Sequence, residues 1–142
     1  MRLTTRMPSL SNVTAGGTAT LNAPIGRTYE RMVFAYSGVT RAQMKDIKVV
    51  IDGKPIMEFA DAEQVAALNK YYGRHDEAGL ITLWFVRPEL NALEQQRVTG
   101  LGTGDQAGNG KISTLQFEIE IDAAAVDPKV TAHAIQSDPA PL

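Results

Sequence analysis

The stretch that decides the fold is "VVIDGKPIMEFADAEQVAALNKYYG", Val49 to Gly73. It reads as two strands about a tight turn, with a short helix following at once. Asp52-Gly53, between "IKVVI" and "KPIMEF", is a strong hairpin signal because a type I′ turn needs two residues at positive φ. With those two as the loop, Ile51 faces Lys54, Val50 faces Pro55 and Val49 faces Ile56. Pro55 has no N–H to donate, so the second strand is expected at or near a sheet edge. Its faces are mixed, with Ile56 on one and Met57 and Phe59 on the other. One buried face cannot take both sets. Pro55, Met57 and Phe59 are therefore candidate interface residues, to be covered by a helix or by another subunit.

The helix is signalled by its caps as well as its spacing. Asp61 with Gln64 three residues on makes an N-terminal capping pair. Ala62, Val65, Leu68 and Tyr72 then form an apolar stripe, Lys70 lies in the last turn and Gly73 suits the position after the C-cap. The pattern predicts a helix over about 61–72, with Val65, Leu68 and Tyr72 packed on the hairpin.

Working outward, strands are expected over Val13–Ala23 and Tyr29–Ser37, the latter alternating Met32, Phe34 and Tyr36. "LITLWFV", Leu80–Val86, is apolar on both faces and reads as a buried central strand with Trp84 in the core. "ISTLQFEIEID" is the cleanest strand, with Leu115, Phe117, Ile119 and Ile121 inward and Gln116, Glu118 and Glu120 outward. Asp127-Pro128 turns the chain into a last strand near Lys129–Gln136. Thr99–Gly110 holds five of the twelve glycines and reads as a loop. About eight short strands with one inserted helix and no βαβ alternation make an all-β, antiparallel jelly-roll sandwich. Its domain spans 13–136, with 1–12 an N-terminal arm and 137–142, "SDPAPL", a linker or tail.

Chemistry is sparse. The 142 residues carry a net charge of −2, which gives no basic field for nucleic acid. The absence of cysteine removes disulfides, thiolate zinc sites and cysteine nucleophiles. No apolar run approaches the ~20 residues that span a bilayer, and the first residues lack the apolar core of a signal peptide. Gly102-x-Gly104-x-x-Ala107 is followed by a strand rather than a helix, so it is no dinucleotide fingerprint. The spacing from Gly104 to Gly110-Lys111 is one residue too long for a P-loop, and Ile112 stands where magnesium needs a hydroxyl. His75 and His133 sit in no zinc-binding spacing. Tyr72, His75, Asp76 and Glu77 could form an acid–base cluster, but neighbours along a post-helical loop rarely converge. Asp105 and Asn109 are weak calcium candidates, two oxygen side chains in a glycine loop that matches no EF-hand. No cofactor, metal or catalytic residue is assigned.

The order of segments carries more than any motif. "IDGKPIMEF", "LNKYYG", an apolar strand ending in "RPEL", a glycine loop, "ISTLQFEIEID" and "DPKVTAHA" follow one another. This resembles the N-terminal jelly roll of corticovirus-type double-jelly-roll major capsid proteins, from tailless icosahedral phages that enclose a membrane. The residues that carry it are Asp52, Gly53 and Lys54, then Leu68, Asn69, Tyr71, Tyr72 and Gly73, then the Leu115–Ile121 strand. The resemblance covers Val13 to the tail and implies a structural, non-enzymatic bacteriophage capsid protein. It implies trimers that form pseudo-hexagonal capsomers in an icosahedral shell, a second jelly roll beside the first, contact with an internal viral membrane and no nucleic-acid partner. It places the protein in the virion, assembled in the host cytoplasm, with calcium as a possible stabiliser. The chain is half as long as that family's pattern, so it is expected to be a first domain or a single-domain relative. Two rivals remain: a carbohydrate- or receptor-binding jelly roll using Tyr71 or Tyr72, and an enzyme using Tyr72, His75 and Asp76.

Overall fold

The computed structural model describes residues 3–74, 77, 79–86, 101–102 and 114–137. Within them the chain runs β1 (Leu3–Arg6), β2 (Thr18–Ala23), β3 (Thr28–Ser37), a 3₁₀ turn (Arg41–Gln43), β4 (Met44–Ile51), β5 (Lys54–Asp61) and α1 (Ala62–Tyr71). It continues through β6 (Leu80–Trp84), β7 (Leu101–Gly102), β8 (Leu115–Ile121) and β9 (Lys129–Ser137). The strands form two antiparallel sheets, ordered β1-β9-β3-β6 and β2-β8-β4-β5, with the two-residue β7 added to β3 in line with β6. Consecutive strands mostly alternate between the sheets, which is the jelly-roll connection the sequence predicts.

The period-two pattern builds the core. Ala19 and Leu21 from β2, Phe117 and Ile119 from β8 and Val49 from β4 meet Met32 and Phe34 from β3 and Ile81 and Leu83 from β6. Glu118 and Glu120 point away, so burial alternates along β8 as its sequence does. Phe34 and Phe117 touch across the two sheets, edge to face at 5.9 Å.

The hairpin forms about Asp52 and Gly53, whose φ angles of 50° and 81° are those of a type I′ turn. Only glycine reaches the second of these without steric cost, and Asp tolerates the first. Asp52 also ties the turn to the start of β8, accepting from the Thr114 N–H at 2.9 Å and donating its own N–H to the Thr114 carbonyl. β5 is an edge strand, as Pro55 requires. The register differs from expectation after two residue pairs. Ile51 faces Lys54 and Val50 faces Pro55, but Val49 faces Met57. Ile56 is extruded as a β-bulge, which turns Met57 and Phe59 toward the core and leaves Ile56 outside.

The helix caps are as predicted. Asp61 accepts from the Gln64 N–H at 2.9 Å, while Gln64 Oε1 accepts from the Ala60 N–H at 2.7 Å. At the other end Gly73 N–H donates to Lys70 and Arg74 N–H donates to Asn69, which is a Schellman motif with Gly73 at φ 69°. Asp61→Ala is expected to cost about 1 kcal/mol in denaturant unfolding, and Asp61→Ser to recover most of it.

Four readings are corrected. The buried helix stripe is Ala62, Val65, Ala66 and Asn69, while Leu68 and Tyr72 face out. The helix spans two sheets, touching β5 and β4 on one and β6 on the other, rather than the hairpin alone. β6 is the last long strand of its sheet, not a central one, and Trp84 sits on its half-buried outer face. The stretch read as an arm supplies β1, which pairs with β9 from Leu3↔Gln136 to Arg6↔His133, and Leu101–Gly102 of the glycine stretch pairs with Thr28–Tyr29. The strand errors share one cause: pairing across many residues leaves no local period to read. His75, Asp76, Asp105, Asn109, "RPELNALEQQ" and the tail after Ser137 lie outside the described residues.

Tyr29 of β3 is fully buried, in register with Gln136 of β9. Its hydroxyl donates to the Pro24 carbonyl, and burial pushes its pKa up to about 12 against the relief of a Gln136 hydrogen bond. The raised folded pKa means its contribution to stability is complete below pH ~10 and is lost as pH rises toward 12. Unfolding midpoints measured between these pH values should fall more steeply for the native chain than for Tyr29→Phe.

Candidate assembly surface

A structural protein acts through the surfaces it offers, and here the sheet edges offer little. On β5, Pro55 lacks a donor, Ile56 is bulged out at 44% exposure and the Ala60 N–H is taken by Gln64. On β6, the carbonyls of Leu80 and Thr82 are taken by side chains, as is that of Glu77 just before it. Asn69 Nδ2 donates to Thr82 at 3.0 Å, and Arg41 Nη2 donates to Leu80 at 3.2 Å and to Glu77 at 2.7 Å. Arg41 is held in place by donating its Nε–H to the Tyr36 hydroxyl at 2.9 Å. On β2 the Ser11 segment already bridges Thr20, and β1 is only four residues long. Short, bulged and capped edges disfavour strand addition.

The outer face of β2-β8-β4-β5 is charged and internally matched. Lys48 lies between Glu118 and Glu58, and Lys45 lies opposite Glu120. Lys45 Nζ also meets Asp122 at 2.8 Å. That contact holds the Asp122 carboxyl below its usual range and raises Lys45. Asp46, at φ 47° in the β4 bulge, pushes the Glu120 carboxyl up by hydrogen bonding and by its charge. Among the described residues no group of three or more His, Asp or Glu side chains is arranged to hold a metal ion. His133 is exposed on β9, paired between Arg6 and Val33.

Large apolar side chains are exposed on α1, at the β5 bulge and at one corner of the sandwich, beside the end of β8. Hydrogen bonds gather four connections there: Gly16 and Gly17 with Ile121, Gln43 with Asp122, Gly38 with Val126, and Arg41 with Glu77. At this corner Val126 is 79% exposed, and on α1 Tyr71 is 82% exposed. Leu68 and Tyr72 are also exposed, Tyr71 and Tyr72 meet edge to face at 5.2 Å, and the Arg74 guanidinium lies 4.6 Å over the Tyr72 ring. Trp84 is half-buried beneath the Arg31 guanidinium, 4.9 Å from the ring centroid, and its buried Nε1 has no hydrogen-bond partner.

Of the expected interface residues, Pro55 lies on the open edge, whereas Met57 and Phe59 lean on the core. Ile56 takes their place as the exposed apolar residue of β5. Arg41, Asn69 and Tyr29 are structural residues that sequence reading missed. Arg41 acts on carbonyls 36 and 39 residues away, which no local pattern announces. Asn69 had one available signal, a polar residue in register with Ala62, Val65 and Ala66 on the buried face.

The description "Viral coat protein P2 N-terminal domain" matches residues 4–137. The chain belongs to that family. It is 34% identical to the major capsid protein P2 of Pseudoalteromonas phage PM2, over 96% of this chain and 51% of the relative. The crystal structure of the major capsid protein P2 from bacteriophage PM2 superposes with a TM-score of 0.90 at 35% identity, covering 99% of this chain and 52% of that one. The chain therefore spans about half the length of these relatives. A coat-protein family makes this a structural, non-enzymatic domain of the virion shell.

Proposed function

We propose that the chain is the first jelly roll of a double-jelly-roll major capsid protein, whose trimers form pseudo-hexagonal capsomers around an internal membrane. The observation that carries this is the match of nearly the whole chain to half of a solved capsid protein, at a TM-score of 0.90. In that relative the other half leaves room for a second domain of similar size. The surface is consistent with such a role. Blunted edges prevent indefinite strand stacking, and Ile56, Leu68 and Tyr71 offer side chains for a neighbour to cover. The test is the mass of the full-length polypeptide by size exclusion with light scattering. Species in multiples of three chains are expected, and a strict monomer at capsid-like concentration rejects the proposal.

A carbohydrate- or receptor-binding module is the second reading, favoured by the exposed Tyr71 and Tyr72 pair. It requires measurable glycan binding that Tyr71→Ala abolishes.

A further inference from the structure

We propose that the outer face of β1-β9-β3-β6 packs against the second jelly roll of the same polypeptide. The inference rests on the capsid reading and adds to it the face that the partner domain covers. An antiparallel sheet with one solvated face alternates apolar and polar residues, whereas strands covered on both faces are apolar throughout. β8 alternates, with Gln116, Glu118 and Glu120 outward. β6, "LITLW", carries no charge on either face, yet it is the last long strand of its sheet rather than a central one. Ile81 and Leu83 face the core, and Leu80, Thr82 and Trp84 face out. Register carries the same uncharged surface across the sheet. Ala35 lies between Leu80 and Thr131, and Val33 between Thr82 and His133. Arg31 lies between Trp84 and Ile135. α1 reaches the free edge of β6, through Asn69 and the Thr82 carbonyl, and these outward side chains of β3 and β6 stay half-exposed. Within this domain, β6 is covered on one of its two apolar faces.

Charge and chain length name the occupant. The outer face of β2-β8-β4-β5 is covered by its own matched charges, Lys48 between Glu58 and Glu118 and Lys45 opposite Glu120. On the outer face of β1-β9-β3-β6 the titratable groups among the described residues are Arg6, Arg31, Lys129 and His133, with no Asp or Glu. Two copies meeting through this face would set those cations against one another, so a second copy does not fit it. An uncharged centre, with the Arg31 guanidinium 4.9 Å over the Trp84 ring, has the composition of a protein interface core. The chain spans 51% and 52% of the two capsid proteins it matches, which leaves about as much polypeptide again for a partner domain. β9 belongs to this sheet and leads into "SDPAPL", the stretch read as a linker. A Pro-rich linker is a short, stiff spacer, so a domain tethered there starts beside this face.

Thiol labelling of the full-length polypeptide tests the face. This chain contains no cysteine, so an introduced thiol within it is identified by peptide mass spectrometry. Thr82→Cys and His133→Cys lie on the proposed face, and Thr18→Cys and Glu58→Cys on the opposite one. His133 is exposed in this domain and Thr82 half-exposed, so slow labelling at either reports cover from outside it. Maleimide rates are measured on assemblies and after dilution to single chains. In both, labelling at 82 and 133 is expected to be about tenfold slower than at 18 and 58, with all four alike in denaturant. Rates alike on the two faces of single chains would overturn this proposal, and protection that then appears only on assembly would assign the face to a neighbouring chain. A protein that still assembles in threes leaves the capsid reading standing. Like rates in a chain that never assembles would count against both.

Discussion

Phe117→Ala is expected to lower the free energy of unfolding by about 3–5 kcal/mol, the largest loss of any single truncation in the core. Phe117 is 1% exposed at the middle of β8, between Leu21 on β2 and Val49 on β4. It packs against Phe34 of the opposite sheet at 5.9 Å and against Phe85 at 6.1 Å. Removing the ring takes away contacts in both layers at once, and the sheets cannot close on the void because their backbones are fixed by paired strands. Equilibrium denaturation by urea measures the loss. Phe117→Leu should recover more than half of it, while Ile56→Ala, at an exposed bulge, should stay within about 0.5 kcal/mol of the native chain. A Phe117→Ala chain that unfolds within 1 kcal/mol of the native one would show that the two layers do not depend on this residue.

Gly38→Ala is expected to cost about 2–4 kcal/mol and to displace the corner that presents Val126. Gly38 lies at φ 72°, where a side chain is strained whatever the space. A Cβ there would also stand 2.2 Å from the Asp127 carbonyl oxygen and 2.6 Å from that of Val126. Both are backbone atoms, so no rotamer change relieves the clash and the corner must move. That movement breaks the Val126 to Gly38 hydrogen bond. Denaturation measures the first effect. The second is read as faster hydrogen exchange of the Val126 amide, which loses its acceptor, at temperatures where the variant remains folded. A variant of native stability would mean that the corner has slack that its close contacts deny.

The features legible in the sequence were those whose cause is local. Asp52-Gly53 announces its turn because φ preference is a property of single residues. Asp61, Lys70 and Gly73 announce a helix because caps act within one turn. The Leu115–Ile121 alternation announces a half-buried strand because side chains of a strand point alternately to its two faces. Pro55 even places β5 at an edge, since a missing donor is visible in the residue itself. The position of Val49 opposite Met57 was not visible, because a bulge depends on how both strands settle on the core. The wrong half of the helix stripe has a similar origin. Leu68 and Tyr72 are apolar at helical spacing, but α1 is wedged between β5 and β6, and only a narrow face fits the gap.

By itself, then, the amino-acid sequence determined the fold class, the hairpin, the helix caps, the polar outer face of β8 and the order of segments that marks the family. The tertiary structure decided which apolar side chains remain outside. Burial of a side chain depends on the elements that surround it in space, and those come from strands as far apart as β1 and β9. It also decided that Arg41 and Asn69 seal the β6 edge, through hydrogen bonds that exist only once distant carbonyls are brought within about 3 Å. The stretch from Val49 to Gly73 ends as an edge hairpin with a helical plug, and its exposed Tyr71 is where a neighbour is expected.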